Sequence, residues 1–254
     1  MAITGLYKTF NHWHQQGTLF IYSDPHFGDA ELAAGVSNRP TDEEQLAMIN
    51  SKVGKNDTII ILGDCGDPSF ISRIRARYKI LVMGNHDAGR TNYERTICRY
   101  RFDVDNYTKE EAERLVFLQH PGWKLSVGEG YDMSHAPFHY WEVFADNRLF
   151  DEVYEGPVMI GEKLILSHEP VDIPWAFNLH GHVHDLRHKN DDHHFNVCAE
   201  VINYTPVNMN QWMKQGHLSR IETIHRATID LAIERSIKRE EKKRNRHKRP
   251  YRKP

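Results

Sequence analysis

Residues 57–67 read DTIIILGDCGD. The apolar run Thr58–Leu62 reads as a strand that stops at Gly63 and Asp64, where turn-forming and acidic residues begin. The same pattern stands on either side. TLFIYSD (18–24) reads as a buried strand ending in polar residues, and KILVMGNHD (79–87) as another. Between the first two lies TDEEQLAMINSKV (41–53), a helix in which Thr41 and Glu44 have capping-box spacing and Leu46, Ile49 and Val53 share one face. SFISRIRARY (69–78) is a short amphipathic helix between the second and third strands. Strand, helix, strand, helix, strand specifies an α/β domain. Each strand brings its polar residues to its C-terminal end, where open α/β sheets place their sites.

Downstream, from about residue 100 to 150, the pattern loosens. Trp123, Tyr131, Phe138, Tyr140, Trp141, Phe144 and Phe150 stand among polar residues with little periodicity. This stretch reads as an insertion or cap, either a lid over the substrate or a small satellite core. DEVYEGPVMI (151–160) and KLILSHEP (163–170) then flank Gly161–Glu162, which reads as a hairpin turn. From Ser219 to about Lys243 the spacing predicts a helix, with Ser219 and Glu222 as a capping box and Ile221, Ile224, Thr228, Leu231 and Ile233 as an approximate apolar face. The expected organisation is a main domain over residues 1–218 and a helix with a basic, disordered tail over 219–254.

Composition narrows the function classes. A chain of 254 residues can bury a sizeable core. It holds no apolar run near the ~20 residues that span a bilayer, so no membrane partner is expected. The N-terminus, MAITGLYKTFNHWHQQGT, lacks a secretory pattern. Three scattered cysteines, Cys65, Cys98 and Cys198, show no CxxC spacing, which argues against a disulfide framework or thiolate zinc site and points to the cytoplasm. Charge is unevenly placed. From Arg235 onward there are 11 Lys and Arg against 2 Asp and Glu, which leaves 22 basic and 33 acidic residues in the remainder.

Five polar clusters follow one another: Asp24-x-His26, Gly63-Asp64-x-x-Asp67, Gly84-Asn85-His86-Asp87, His168 after an apolar strand, and Gly181-His182-x-His184. Side chains at i and i+2 of a strand end point the same way, so Asp24 with His26, and His182 with His184, can converge on one centre. Glycines beside Asp64, Asn85 and His182 relieve crowding where the backbone turns near a ligand. Imidazole, carboxylate and amide ligands without thiolates suit catalytic divalent ions. Seven candidates (Asp24, His26, Asp64, Asn85, His168, His182, His184) are too many for one open metal site and suit two ions bridged by a carboxylate. Manganese is the foremost candidate, with iron, zinc, nickel and cobalt as alternatives. Two such ions bring four positive charges and Asp24 and Asp64 return two negative ones, so the centre can bind a phosphoryl group and acidify a water. His86 is a reasonable general acid, because a neighbouring carboxylate and a phosphate both favour its charged form.

These blocks resemble, in order, those of the calcineurin-like metallophosphoesterase superfamily, over roughly residues 18–207. HFGD, SNRP, LSHEP and NVCAEVINYTPV further resemble a subgroup of small bacterial and phage phosphoesterases, although Asp29 stands where that subgroup usually has histidine. The resemblance implies a four-layer α/β/β/α sandwich. It implies that Asp24, His26, Asp64 and His184 bind one metal, and that Asp64 bridges to a second held by Asn85, His168 and His182. It also implies that His86 protonates the leaving oxygen, that Asp67 orients His86, and that a metal-bridging hydroxide attacks a phosphoester, with a phosphodiester favoured. His135, in MSHAPFHYW, competes with His168 for its role. Asp87 reads as a structural cap, Cys65 as a packed thiol, and His188, His193 and His194 as surface residues. Two other functions fit parts of the pattern: a nuclease on RNA or DNA anchored by the basic tail, and a metal-stabilised scaffold for another protein.

Overall fold

Ile59, Ile60, Ile61 and Leu62 are all fully buried, which a strand achieves only when both faces of its sheet are covered. The computed structural model describes residues 8–9, 17–36, 38–87, 93–134, 138–184, 190–222 and 224–247. The first half of the chain runs β1 (Lys8–Thr9), β2 (Leu19–Tyr22), α1 (Ala30–Gly35), α2 (Asp42–Lys52), β3 (Thr58–Ile61), α3 (Pro68–Arg73) and β4 (Tyr78–Val82). Then come β5 (Ile97–Asp103), α4 (Lys109–Gln119), β6 (Lys124–Asp132), β7 (Phe138–Asp146), β8 (Glu152–Tyr154), β9 (Val158–Ile160) and β10 (Leu164–Ser167). The chain continues through β11 (Phe177–His180), β12 (His194–Asn196), β13 (Val207–Asn208), α5 (Met209–Lys214) and α6 (Ile224–His247).

Two five-stranded sheets form, in the orders β13-β2-β3-β4-β8 and β1-β9-β10-β11-β12. Strands β2, β3, β4 and β8 are mutually parallel, so their C-terminal ends share one edge. Alternation divides their side chains. Ile21, Ile60, Leu62, Ile80 and Val82 pack with Val158, Leu164, Leu166, Phe177 and Leu179 in a core between the two sheets. Phe20, Tyr22, Ile59, Ile61 and Leu81 face Leu46, Ile49, Val53 and Ile71, from α2, its C-cap and α3. The capping box of α2 forms as its spacing predicts: Glu44 N–H donates to Thr41 Oγ1 and Thr41 N–H to Glu44 Oε2. Strands β9 and β10 pair as a hairpin around Gly161, whose φ of 60° is the left-handed turn conformation. The α/β expectation therefore holds.

The stretch that lacked evident periodicity is a third sheet, β5-β7-β6, antiparallel throughout. One face packs Val143 and Ala145 against Ala112 and Val116 of α4, which is a satellite core. The other face carries Arg99, Arg101 and Glu142, so β5 alternates Cys98, Tyr100 and Phe102 towards α4 with arginines facing away. The insertion is stitched to the main domain at its base, where the Arg95 guanidinium bonds Asp146 and Asp151. The last helix starts at Ile224, not Ser219. Gly216 is left-handed, Ser219 Oγ donates to the Gly216 carbonyl, and Ile221 is drawn into the inter-sheet core ahead of the helix. Leu231 and Ile233 are about half exposed, so the apolar face expected for this helix is not a core face. Among the described residues no helix is long and apolar enough to cross a membrane.

One residue breaks the apolar run of β4. Lys79 is 3% exposed, with its ammonium donating to the Ile71 carbonyl at 2.9 Å. Burial, and then the nearby Arg148, pull its pKa down to about 7, with Asp151 opposing. An unfolded lysine keeps its proton up to its ordinary value of 10.5, so folding is disfavoured below about pH 7 and strengthened as pH rises between the two. Lys79→Met should gain ~1–3 kcal/mol at pH 7 and lose this rise. Urea unfolding at pH 7 and pH 9 in phosphate-free buffer measures both; a variant weaker than wild type at each pH would refute the assignment.

Candidate dinuclear metal centre

The metal-ligand candidates gather at the shared C-terminal edge of the parallel strands, but not by the pleat of a strand. Strand β2 ends at Tyr22 and β3 at Ile61, before any ligand. Asp24, His26, Asp64, His182 and His184 all lie in the left-handed region, with φ between 42° and 70°. For residues with a Cβ this costs roughly 1–2 kcal/mol each. Alternate residues with reversed backbone sense, rather than extended strand geometry, turn Asp24 with His26 and His182 with His184 inward. Close approach also demands glycine. A Cβ on Gly84 would lie 2.3 Å from Asp64 Oδ1, and one on Gly181 would lie 2.2 Å from Asp24 Oδ2.

Two groups result: Asp24, His26 and His184, and Asp64, His168 and His182. Asn85 joins the second, with Oδ1 at 2.9 Å from His168 Nε2 and 3.1 Å from His182 Nδ1. The groups meet at Asp64. Its Oδ2 lies 3.5 Å from His26 Nε2 and 3.4 Å from His168 Nε2, as a carboxylate shared by two cations requires. Ligand atoms held ~2.1 Å from one ion at right angles stand ~3.0 Å apart, which matches the second group. Asp24 Oδ1 and His26 Nε2 are buried and lack a hydrogen-bond partner. Buried polar atoms without a partner among the described residues, aimed into such a cluster, are the donor set that coordinates a divalent ion. The residues fit two such ions.

Outer contacts fix which atom of each ligand faces inward. His168 Nδ1 lies 2.8 Å from the Leu62 carbonyl, the position for an N–H donor, so Nε2 presents the lone pair. His184 Nδ1 faces Glu200 at 3.4 Å, and Arg39 holds the other oxygen of Glu200 at 3.0 Å. His26 Nδ1 faces Asp29 at 3.4 Å, while the second oxygen of Asp29 caps α1 through Leu32 N–H. The residue that departs from the subgroup thus acts as a carboxylate partner to a ligand. Asp24 Oδ2 accepts from the Ser23 hydroxyl, His182 N–H and the Cys198 thiol, which leaves Oδ1 for a cation. Burial, reinforced by Asp24, pushes the Cys198 thiol pKa far up, so it is a donor and no nucleophile.

Sequence reasoning missed Arg39, Glu200, Ser23, Cys198 and the role of Asp29. The signals for the first two were the SNRP and NVCAEV blocks. Asp87 is structural: its carboxylate accepts from the N–H groups of Asp64, Cys65 and Gly84 and is 1% exposed. Cys65 packs in the helix-side core. His86 is exposed, its N–H donates to Asp64 Oδ1 at 2.9 Å, and its ring stands 5.3 Å from that of His26. Asp67 Oδ1 caps α3 through Ser69 N–H, and no hydrogen bond joins Asp67 to His86 among the described residues. His193 and His194 lie away from the ligands, beside Ala176 and Asp191, whereas His135 and His188 fall outside the described residues.

Protons compete with metal here. Burial disfavours charge on His168, but the Asp64 hydrogen bond and the Asp24 and Asp64 charges prevail and raise its pKa to about 9. Burial would raise Asp24, yet His26 and His168 bring it down to about 2. Below about pH 9 a metal must displace the His168 proton, so divalent-ion affinity should rise from pH 6.5 to pH 9 with proton release. Calorimetric titration with Mn²⁺ or Zn²⁺ in buffers of different ionisation enthalpy tests this, and pH-independent binding would contradict it. Glu200→Gln should weaken binding 10- to 100-fold at the group that holds His184 and leave the other nearly intact. Two equally weakened sites would exclude that role.

The model of the calcineurin-like phosphoesterase family matches residues 17–209. A comparison with curated proteins returns no match. Among solved structures, a protein of unknown function from Aquifex aeolicus is similar at 18% identity and a TM-score of 0.48, over 78% of this chain and 98% of that one. The matched span takes in all seven candidate ligand positions and His86, and the chain belongs to the calcineurin-like phosphoesterase family.

Proposed function

We propose that the protein hydrolyses a phosphodiester at this centre, with manganese as the resident ion pair and His86 as general acid. The observation that carries the reading is the single carboxylate oxygen of Asp64 set between His26 and His168. Two divalent ions, when bound, supply Lewis acidity that polarises a phosphoryl group and acidifies water. Asp24, His26 and His184 would hold one of them, Asn85, His168 and His182 the other, and Asp64 both. Everything else falls to the chain itself. Asp64 Oδ1 anchors the His86 backbone, so the carboxylate that joins the two groups also sets where the imidazole begins. The exposed His86 ring beside His26 can give its proton to a departing alkoxide at the mouth of the site. We assign Asp67, in the loop that carries Asp64, to polarising that imidazole.

Charge supports a diester. Beside Asn85 and His168 lies a cavity of ≈330 Å³ lined also by Glu155, Glu169, Pro157 and Pro170, with no lysine or arginine among the described residues of its wall. Arg39 is engaged by Glu200. Among the described residues a dianionic monoester finds no cationic side chain in that wall, whereas a monoanionic diester with an uncharged leaving group needs none. An acidic cleft also disfavours long polyanions.

His86→Ala should lower kcat ~10²–10⁴-fold on bis(p-nitrophenyl) phosphate while both metals stay bound; undiminished turnover refutes the general acid. Asp64→Asn should cost both ions, read by elemental analysis, and retention of two per chain would refute the shared carboxylate. The monoester p-nitrophenyl phosphate should be the poorer substrate by kcat/KM, and the reverse order would overturn the diester assignment.

A further inference from the structure

At the other end of the same strands lies a cavity of ≈220 Å³ with the opposite chemistry. Lys55, Arg75, Arg77, Lys79, Arg95 and Arg148 line it, with Asp151 as the one acidic residue among the described residues of its wall. Lys55 precedes β3, Arg75 and Arg77 precede β4, and Asp151 precedes β8, so the cavity sits at the N-terminal edge of the parallel strands. The metal ligands follow the C-terminal ends. A five-residue strand separates the two by roughly 16 Å.

The cations in this cavity are not neutralised from within. Arg95 is committed to Asp146 and Asp151. Lys55, Arg75, Arg77 and Arg148 form no ion pair among the described residues, and the Lys79 ammonium uses one of its three donors, on the Ile71 carbonyl. Such like charges repel, and burying a lysine among them is unfavourable without a counter-charge. Guanidinium forks recognise phosphate oxygens in pairs, and a lysine acts beside them as a point charge. We propose that this cavity binds a diphosphate-type anion, free or as the diphosphate of a nucleotide. A single monovalent anion leaves most of the charge uncompensated. A long nucleic acid meets a chain whose first 234 residues are net acidic.

The fate of the Lys79 proton gives a specific signature. Its ammonium faces Arg148 and Arg95, which depress its pKa, and Asp151 and Asp146, which raise it. A bound diphosphate adds negative charge, so at pH 8 the lysine takes up a proton on binding.

The test is isothermal titration of the full-length, chelator-treated chain with pyrophosphate, ADP and inorganic phosphate. Expected is saturable binding of pyrophosphate or ADP, at least tenfold tighter than phosphate, with proton uptake at pH 8. Arg75→Gln/Arg77→Gln should weaken it at least tenfold and leave metal-dependent diester hydrolysis unchanged. Lys79→Met should abolish the proton uptake, and His168→Ala should leave affinity intact. ADP bound more tightly than pyrophosphate identifies the nucleotide as the source of the diphosphate, and the reverse identifies the free anion. No saturation by either at 1 mM, affinity that follows His168 instead of the arginines, or binding confined to a 20-nucleotide RNA would overturn the proposal. The binding and proton-uptake readouts do not depend on catalysis, so failure of the diester assignment leaves this one standing.

Discussion

A carboxylate that holds no metal fixes the geometry of the centre. Asp87 gathers the N–H groups of Asp64, Cys65 and Gly84 on its two oxygens and thereby ties the loop after β3 to the loop after β4. These loops carry Asp64, at which the two candidate groups meet, and Asn85 and His86. Neither loop continues its strand, so the two cannot bond to one another as strands do, and a buried N–H without a partner costs ~1–3 kcal/mol. One buried carboxylate satisfies three of them. It also supports Asp64 in a left-handed conformation, from which its carboxylate can lie between two histidines. The strain and the clamp belong together: without a rigid clamp the strained loop would relax and the two ligand groups would separate.

The same logic runs outward through the histidines. Each imidazole has two nitrogens, and only one can face a metal. Leu62, Glu200 and Asp29 occupy the outer nitrogens of His168, His184 and His26, and Arg39 steadies Glu200 in turn. Three chemically different partners, a backbone carbonyl, a salt-bridged glutamate and a helix-capping aspartate, do one job. This explains how Asp29 can replace another residue type without disturbing the centre, since what His26 requires at that place is an acceptor.

Much of this was legible in the sequence because it rests on local rules. Apolar runs that stop at Asp24, Asp64 and Asn85 mark strand ends, and the Thr41–Glu44 box marks a helix start, whatever the rest of the chain does. The residues that gather in the two groups were legible because residue type and order carry them. The conformation of the ligands was not. Strand alternation suggested how i and i+2 would converge, yet Asp24 and His26 converge through left-handed residues, which are stabilised by contacts from Gly63, Asp64 and His182, far away in the chain. The β5-β7-β6 sheet was hidden for another reason. Its alternation sets Arg99, Arg101 and Glu142 against aromatic and aliphatic positions, and salt bridges on one face resemble loop composition when read along the chain. The start of α6 was misplaced because Ser219 and Glu222 satisfy a local capping rule that burial of Ile221 overrides.

The parallel sheet itself divides the charge of the molecule. Strands that all point one way bring residues that precede them to one edge and residues that follow them to the other. In this chain the following residues are carboxylates and imidazoles, whose negative charge and lone pairs call for cations. The preceding residues at β3 and β4 are lysines and arginines, which call for an anion. Lys79 lies on the strand between them, buried with its pKa lowered to about 7, and its side-chain nitrogen reaches back towards the cationic edge. A single fold therefore holds two unsatisfied charge distributions of opposite sign, at a separation large enough for solvent and salt to screen one from the other. Each can be filled independently, because no strand hydrogen bond has to change for either ligand to enter.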